Sequence, residues 1–476
     1  MARPIARFVL AVASLCALRP DPAAAQAPSV TGTLVDAVTG TPIAGATVRV
    51  TGADGGPTRA AITTGRGTFR FDSLAVGSYR VGAAALGYAP AEGAATVPGE
   101  PLRIALERIY RLEEQVVTPD RGTGSSLAAP TALSVVPGDE LRRAATLGGP
   151  IERLQGLPGV DVAQRGLSQR TFAARGPSGL NSSALLVLSD FRPASLPSLR
   201  FNVPYLIPAT DEDLERIEVV RGPASALYGP DADRGVIHLV SSSPLDRQGT
   251  SLSLAGGGRS TFQGTLRHAS RLGSRLGLKL SGQYARGDDW PFADPRDVVA
   301  RDPLLERGAV NARLDWAATG NTRITVTGGL AQAIRLVDQT DIGPIQLRDW
   351  QSSYLQTRVE SGRLSANLYL NANDAGGSFQ LWSGVPVVDQ SRALGAQIQY
   401  GGALGDRIDL RYGADLQRVV PRTGGTIHGA NEDHDNITQA GVYAAATARL
   451  TPRLDLVGAV RADHHKIGRA SCRERV

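Results

Sequence analysis

From residue 249 onward, polar and hydrophobic residues alternate in segments about ten residues long, a period of two that predicts β-strands. One such segment places Leu276, Leu278, Leu280, Gly282 and Tyr284 on one face and Lys279, Ser281, Gln283 and Ala285 on the other. Tight turns join the strands in pairs, at Gly273-Ser274, Thr319 to Asn321, Ser361-Gly362, Gly405-Asp406 and Thr451-Pro452. Longer polar stretches separate the pairs, near 287–307, 336–351, 374–390 and 420–437. We count about eleven strands in all.

Short turns at one end of the strands and long loops at the other are typical of an outer-membrane β-barrel. Lipid on one face and water or a plug on the other explains why so many strands are apolar on one side only. Aromatic residues near the strand ends fit interfacial girdles: Trp316, Trp350, Tyr354, Trp382, Tyr400 and Tyr443. We therefore predict that 246–466 form part of a transmembrane antiparallel β-barrel, in contact with outer-membrane lipid.

The first 27 residues have the pattern of a signal peptide. Arg3 and Arg7 precede an apolar run of about eleven residues, too short to span a bilayer, and small residues follow at 23–27. Most of the formal charge of +6 comes from this segment and the last ten residues, so the remainder is nearly neutral and nucleic acid is a poor partner. Cys16 and Cys472 lie in the same two segments, and we expect no disulfide in the mature chain.

Residues 29–108 predict a small β-sandwich, because Ala46, Val48 and Val50, and again Phe69 and Phe71, alternate between turn signals. The order Gly45-Ala46, Gly67, Phe69, Gly77, Tyr79 and Gly87-Tyr88 resembles the carboxypeptidase regulatory-like domain. That resemblance implies a binding or spacer module in the periplasm and no peptidase.

Residues 130–245 have mixed α and β patterning, with a helix predicted over 138–157 from the spacing of Leu141, Leu147, Ile151 and Leu154. Five segments follow one another in the order of the plug domain of TonB-dependent receptors: IERLQGLPGVDV, FAARG, LLVLSDF, LERIEVVRGPASALYGP and GVIHLVSSSP. The fold class that follows is mainly β, with an N-terminal β-sandwich, an α+β plug and a partial barrel.

The plug resemblance singles out a set of signature residues: Arg175, Gly176, Arg216, Glu218, Arg221, Gly222, Pro223, Tyr228 and Gly229. It implies that the charges of Arg175, Arg216, Glu218 and Arg221 bind the plug to the barrel wall, while the alternative is solvated charges at a strand edge. Two departures from the family pattern occur. Ser189 and Phe191 flank Asp190 where the family usually has an Asp-Gly turn, and His238 replaces a common Asn.

Residues 109–128 read as a linker that carries one short strand-prone segment. Leu112, Glu113, Glu114, Gln115, Val116, Val117 and Thr118 resemble a TonB box and lie just before the plug, where the family places it. Such a segment must be free to add a strand to its partner through main-chain hydrogen bonds. An ordinary linker strand is the alternative.

The resemblance implies active import across the outer membrane by a monomeric barrel that TonB and its inner-membrane motor drive. Trp290, Phe292, Phe379 and Trp382 in the long loops are the candidate ligand contacts. Siderophores, cobalamin, glycans and peptides all suit this architecture. The alternative is a receptor or adhesin that displays loops and relays a signal without transport.

Enzyme motifs such as a nucleophile elbow, a P-loop or a paired-histidine zinc signature do not occur, so we expect no enzyme, no cofactor and no metal. The acidic loop from Glu432 to Asp435 leaves a cation open as an alternative. Residues 467–476 break the strand pattern and read as a non-native tail after a barrel that is about half complete.

Overall fold

The computed structural model describes residues 29–37, 40–53, 55–85, 88, 91–106, 115–116, 124–125, 132–143, 147, 149–174, 185–222, 224–340, 343–405, 407–451 and 454–467. The chain divides into two compact units, Met1–Glu114 and Gln115–Val476. The predicted signal peptide and the last nine residues, 468–476, lie outside the described residues. No helix within the described part of the chain is long and apolar enough to cross a membrane.

The first unit is a β-sandwich, as the alternation predicts. Its strands are β1 (Ser29–Asp36), β2 (Thr47–Gly52), β3 (Arg59–Ile62), β4 (Thr68–Asp72), β5 (Gly77–Ala84), β6 (Ala91–Val97) and β7 (Leu102–Leu106). One sheet has the order β4-β1-β7 and the other β3-β2-β5-β6. Ala46, Val48 and Val50 share one buried core with Phe69 and Phe71, so the predicted inward faces are confirmed.

The second unit begins with the strands that surround and form the plug, a name used here for residues 132–247. They are β8 (Gln115–Val116), β9 (Gly124–Ser125), β10 (Ala132–Pro137), β11 (Val160–Gln164), β12 (Arg170–Ala174), β13 (Leu185–Ser189), β14 (Arg192–Pro193), β15 (Leu214–Arg221) and β16 (Gly235–Ser241). Two short helices, α1 (Gly138–Leu141) and α2 (Ser225–Tyr228), accompany them. The central plug sheet has the order β10-β15-β16-β13-β14.

The continuous helix predicted over 138–157 is wrong. α1 ends at Leu141, and a separate 3₁₀ helix covers Pro150–Leu154. Pro150 lacks an amide donor and disfavours helical geometry at Gly149, whose φ of +103° lies outside the helical region. Leu141, Ile151 and Leu154 are nevertheless buried in one core with residues of β13, β15 and β16. The spacing of apolar residues therefore identified buried positions correctly, although it predicted the wrong secondary structure.

Twelve strands form the wall, a single antiparallel sheet: β17 (Gly249–Gly257), β18 (Thr261–Arg271), β19 (Leu276–Asp288), β20 (Leu304–Thr319), β21 (Thr322–Thr340), β22 (Gly343–Ser361), β23 (Leu364–Asp374), β24 (Phe379–Gln380), β25 (Arg392–Leu404), β26 (Ile408–Val420), β27 (Ile437–Thr451) and β28 (Leu454–Ile467). Eleven of them follow one another in chain order, and β24 pairs off this path with β22. β17 and β28 are the two ends of the sheet, which is not closed within the described residues.

The wall is apolar outside and polar inside. Exposed side chains on the outer face include Leu252, Leu254, Leu355, Leu368, Leu394, Ile398, Leu416, Val442, Leu456 and Val460. Buried side chains on the opposite face include Gln263, Arg267, Lys279, Ser281, Gln283, Arg307, Arg313, Gln356 and Asn371. Each large aliphatic side chain costs about 1.5–3 kcal/mol to hold in water, so this arrangement requires lipid around the wall.

Two predictions about the wall need correction. The stretch 336–351 is not a loop, because β21 and β22 continue as a paired hairpin from Leu336↔Leu347 to Thr340↔Gly343. These residues stay in strand conformation because the plug covers their side chains. Leu336, Ile345, Leu347 and Trp350 are buried against plug residues 196–206. Of the six aromatics assigned to girdles, only Trp316 and Tyr400 are exposed on the wall. The other four are buried or half-buried: Trp350, Tyr354, Trp382 and Tyr443.

Candidate functional site at the plug, the wall and the outer loops

A buried ion pair joins the plug to the wall. Asp213 precedes β15, and its carboxylate lies 3.5 Å from the ammonium of Lys279 on β19. Lys279 also donates to the carbonyl of Ser242 at 3.1 Å, and the Ser281 hydroxyl donates to the other Asp213 oxygen. Both charged side chains are 2% exposed, so each depends on the other for compensation of its lost hydration.

A second buried cation, Arg313 on β20, reaches the plug next to this pair. Its Nη1 donates to the Ser241 hydroxyl at 2.6 Å, and that hydroxyl donates to Asp190 Oδ2 at 2.6 Å. Asp315 fixes the guanidinium from the wall side with bonds of 2.8 and 2.9 Å. Burial raises the pKa of Asp190, but the charge of Arg313 and the two bonds from Ser241 outweigh it and hold this pKa below its usual value.

The turn between β13 and β14 carries the first departure from the family pattern, and it contacts the second, His238 on β16. Asp190 and Phe191 have φ of +46° and +69°, a left-handed pair that a two-residue hairpin requires and that bulky residues rarely adopt. The Phe191 N–H donates to Nε2 of His238 at 3.1 Å, and the two rings meet edge to face at 4.6 Å. On the wall, Arg358 lies 3.8 Å above the Phe191 ring.

Arg192, on the next strand of the plug, forms a third connection to the wall. Its guanidinium lies 3.8 Å over the ring of Tyr354 on β22 and donates to Asn371 Oδ1 on β23 at 2.8 Å. Asn371 returns a bond to the Pro193 carbonyl at 2.9 Å. The side chain is buried, and cation–π stacking compensates part of the lost hydration.

The predicted charged signature residues on β15 are bonded within the plug. Arg216 donates to Glu215 and Glu218 at 2.7 Å each, and Arg221 donates to the Pro158 carbonyl. Arg175, Gly176 and Pro223 lie outside the described residues. Direct bonds from the plug to the wall include those of Asp213, Ser241 and Arg192, which motif matching did not identify. A lysine or arginine on the inward face of a membrane strand, such as Lys279, is the signal that could have found them.

The remaining signature residues shape the turn after β15. Gly222 and Gly229 have φ of +124° and +88°, where a side chain would be strained. Tyr228 closes α2 and is buried with Val220 and Val236. These positions are therefore structural.

Only two residues of the predicted TonB box lie within the described residues. Gln115 and Val116 form β8, which pairs with β9 through Gln115↔Ser125 and Val116↔Gly124. The other five residues of the predicted box lie outside the described residues: Leu112, Glu113, Glu114, Val117 and Thr118. Gln115 and Val116 thus have the strand conformation that augmentation requires.

The structure brings together the two outer loops that carry the candidate ligand contacts. The Val298 amide donates to the Leu381 carbonyl at 2.9 Å, and Trp382 Nε1 donates to Asp294 at 3.3 Å. An arginine guanidinium stacks on the ring of each aromatic candidate. The distances to the ring centroid are 4.7 Å for Arg259 on Trp290, 4.9 Å for Arg301 on Phe292, 5.2 Å for Arg348 on Phe379 and 4.0 Å for Arg296 on Trp382. Trp290 and Phe292 remain 56% and 63% exposed, so these two can contact a ligand directly.

The acidic loop near Glu432 folds on itself. The Glu432 carboxylate accepts bonds from the amides of Thr423, Gly424 and Gly425. Burial raises the pKa of Glu432, but these bonds and one from the Thr423 hydroxyl bring it below its usual value. Within the described residues no group of three potential metal ligands occurs.

Comparisons with known proteins agree with this geometry. The carboxypeptidase regulatory-like domain matches residues 29–107, and the TonB-dependent receptor plug domain matches residues 125–236. The vitamin B12 transporter BtuB of Vibrio vulnificus is 30% identical over 151 residues, 30% of this chain and 23% of that protein.

Two solved structures show a similar fold. The alcaligin outer-membrane receptor FauA of Bordetella pertussis has a TM-score of 0.55 at 16% identity, covering 74% of this chain and 58% of that one. The copper transporter OprC has a TM-score of 0.52 at 19% identity, covering 70% and 55%. This chain spans less than two thirds of each relative. A plug bonded to the polar face of an outward-apolar strand wall defines a plugged outer-membrane receptor. Within that class, the chain carries the plug domain of the TonB-dependent receptors, and its similarity to their outer-membrane β-barrels places it in the outer membrane.

Proposed function

We propose that the protein imports a scarce small ligand across the outer membrane, with energy delivered through TonB. The observation that carries this proposal is the plug itself, which is held on the inner face of the wall by the buried pair of Asp213 and Lys279. A barrel that only displays loops requires no such plug. Similar proteins named for vitamin B12, copper and alcaligin support the import of a scarce ligand.

The proposed work cycle has three parts. The ligand binds the outer loops near Trp290 and Phe292, TonB adds a strand to the segment Leu112 to Thr118, and a pull on that segment rearranges the plug. We propose a monomeric barrel without a catalytic role or cofactor, and a periplasmic position for the sandwich of residues 29–108. Because β8 already pairs with β9, TonB must exchange with that pairing or extend it.

The test uses the full-length gene in an outer-membrane host and measures surface binding and energy-dependent uptake separately. The probes are labelled cyanocobalamin, copper and a ferric catecholate siderophore. Val116→Pro or Val117→Pro removes an amide donor and restricts its neighbour, so binding should persist while uptake falls to background. Gln115→Ala is the matched control and should retain most uptake, since augmentation depends on backbone bonds.

Two outcomes would count against the proposal. Normal uptake in both proline variants would mean that the box lies elsewhere or that TonB is not the motor. Surface binding without uptake of any bound probe in the unmodified protein would favour the non-transporting receptor.

A further inference from the structure

The top of the plug is an apical turn, residues 196–201, and two outer loops form hydrogen bonds to it at Ser198. The turn is closed by bonds from Leu196 N to the Phe201 carbonyl at 3.1 Å and from Arg200 N to the Leu196 carbonyl at 2.8 Å. Between them, Ser198 is buried. Its hydroxyl donates to Asp389 Oδ2 at 2.5 Å, and its carbonyl lies 3.1 Å from His428 Nε2.

Several hydrogen bonds fix the Asp389 carboxylate in position for this contact. It is 1% exposed, and besides Ser198 it accepts bonds from Asn373 Nδ2 at 2.5 Å and from the hydroxyl and amide of Ser391 at 2.5 and 3.1 Å. Hydrogen bonds to a buried carboxylate are stronger than those between neutral groups, and water cannot replace the Ser198 hydroxyl there.

The second loop is fixed in the same way. His428 Nδ1 lies 2.6 Å from Asp435 Oδ2, which orients the ring toward Ser198. The loops also bond to one another, from Gln390 N to the Arg422 carbonyl at 2.8 Å and from Val388 N to the Thr426 hydroxyl at 3.0 Å. Both loops therefore act on the plug as one body.

Asp389 lies at the base of a hairpin whose tip carries Trp382. Val387 N bonds to the Ser378 carbonyl and Gln380 N to the Val385 carbonyl, each at 2.9 Å. At the tip, Trp382 packs on Gly343 so closely that a Cβ there would lie 2.5 Å from the ring. A hydrogen-bonded hairpin therefore connects Trp382 to the carboxylate that contacts Ser198.

We propose that Ser198 is the positioning residue through which the outer loops report ligand binding to the plug. Contact at the tip of hairpin 378–387 changes how firmly Asp389 and His428 hold the apical turn. This inference rests on the proposed import function for its purpose, but the coupling itself can be measured without a transported ligand.

The experiment measures hydrogen exchange of the full-length protein in detergent, comparing the apical turn with hairpin 378–387. Ser198→Ala should speed exchange in 196–201 by about tenfold or more, because one bond to a buried carboxylate is lost. Ser195→Ala, which also removes a hydroxyl and lies three residues away at a half-buried position, is the matched control and should leave exchange unchanged.

The decisive variant is Trp382→Ala, which loosens the hairpin tip. It should speed exchange in 196–201 when Ser198 is present, and add nothing further in the Ser198→Ala background. Should Ser198→Ala fail to fold, Asp389→Asn weakens the same contact from the loop side and must give the same non-additivity. The inference is overturned if Trp382→Ala leaves 196–201 unchanged, or if the two substitutions act independently. Neither outcome bears on uptake, so failure here is distinct from failure of the import proposal.

Discussion

Phe191 and His238 form one contact, in which the Phe191 amide donates to the imidazole and the two rings meet edge to face. Phe191→Gly removes the ring contact but keeps the amide donor, whereas His238→Asn removes the imidazole and with it the ring contact. The double variant should therefore lose less free energy of unfolding than the two single variants lose in total, by about 0.5–1.5 kcal/mol. Hydrogen exchange in the plug sheet measures it. Phe191→Gly combined with Tyr205→Phe is the control pair and should be additive.

The same histidine should make the plug sensitive to pH. Burial lowers the pKa of His238 from 6.5 to about 4, against the opposing charges of Glu218 and Asp190. In the unfolded plug, His238 binds a proton below about pH 6.5, whereas in the folded plug it does so only below about pH 4. The histidine's contribution to the free energy of unfolding is therefore complete above pH 6.5 and falls as the pH drops toward 4, by about 3 kcal/mol at most.

The measurement is exchange of the β13 and β16 amides between pH 7 and pH 4.5, corrected for the intrinsic rate. Protection should fall more steeply in the unmodified protein than in His238→Asn. Equal slopes would assign the pH dependence to other groups.

Breaking the pair of Asp213 and Lys279 should loosen the plug from the wall. Lys279→Met leaves the Asp213 carboxylate buried without its cation, which costs about 3–5 kcal/mol. Arg449→Met removes an exposed partner of Asp455, 3.6 Å away, and should cost less than about 1 kcal/mol. Urea titration followed by protease cleavage of the plug compares them. Equal midpoints would show that the buried pair does not hold the plug.

Trp290 should contribute to ligand binding more directly than Trp382 does. Trp290 is 56% exposed and stacks on Arg259, whereas Trp382 packs inside the hairpin tip. Trp290→Ala should weaken surface binding of the transported probe about tenfold or more, since large aromatics dominate such contacts. Trp316→Ala, an exposed tryptophan near the short turns, should not change it. Unchanged binding in Trp290→Ala would remove this residue from the site.

The sequence predicted the features that depend on local pattern. Alternation located the wall strands and the sandwich core, and the turn residues marked five short hairpins, but not those that join β17 to β18 and β21 to β22. It missed features that depend on distant partners. The hairpin at Leu336 and Leu347 looks polar enough to be a loop until the plug covers it, and the helix at 138–157 fails because Gly149-Pro150 interrupts an otherwise helical spacing. Ser198 carries no motif, since its role arises from two loops that lie about 190 and 230 residues away along the chain.

The buried bonds of the plug to Lys279, Arg313 and Asn371 also bear on the order of biogenesis. These partners lie on β19, β20 and β23, which are among the first seven wall strands after the plug. A polypeptide exported from its N-terminus therefore possesses this whole set before β25 reaches the periplasm. The plug can then serve as a template on which the early strands acquire their register, before the later strands arrive.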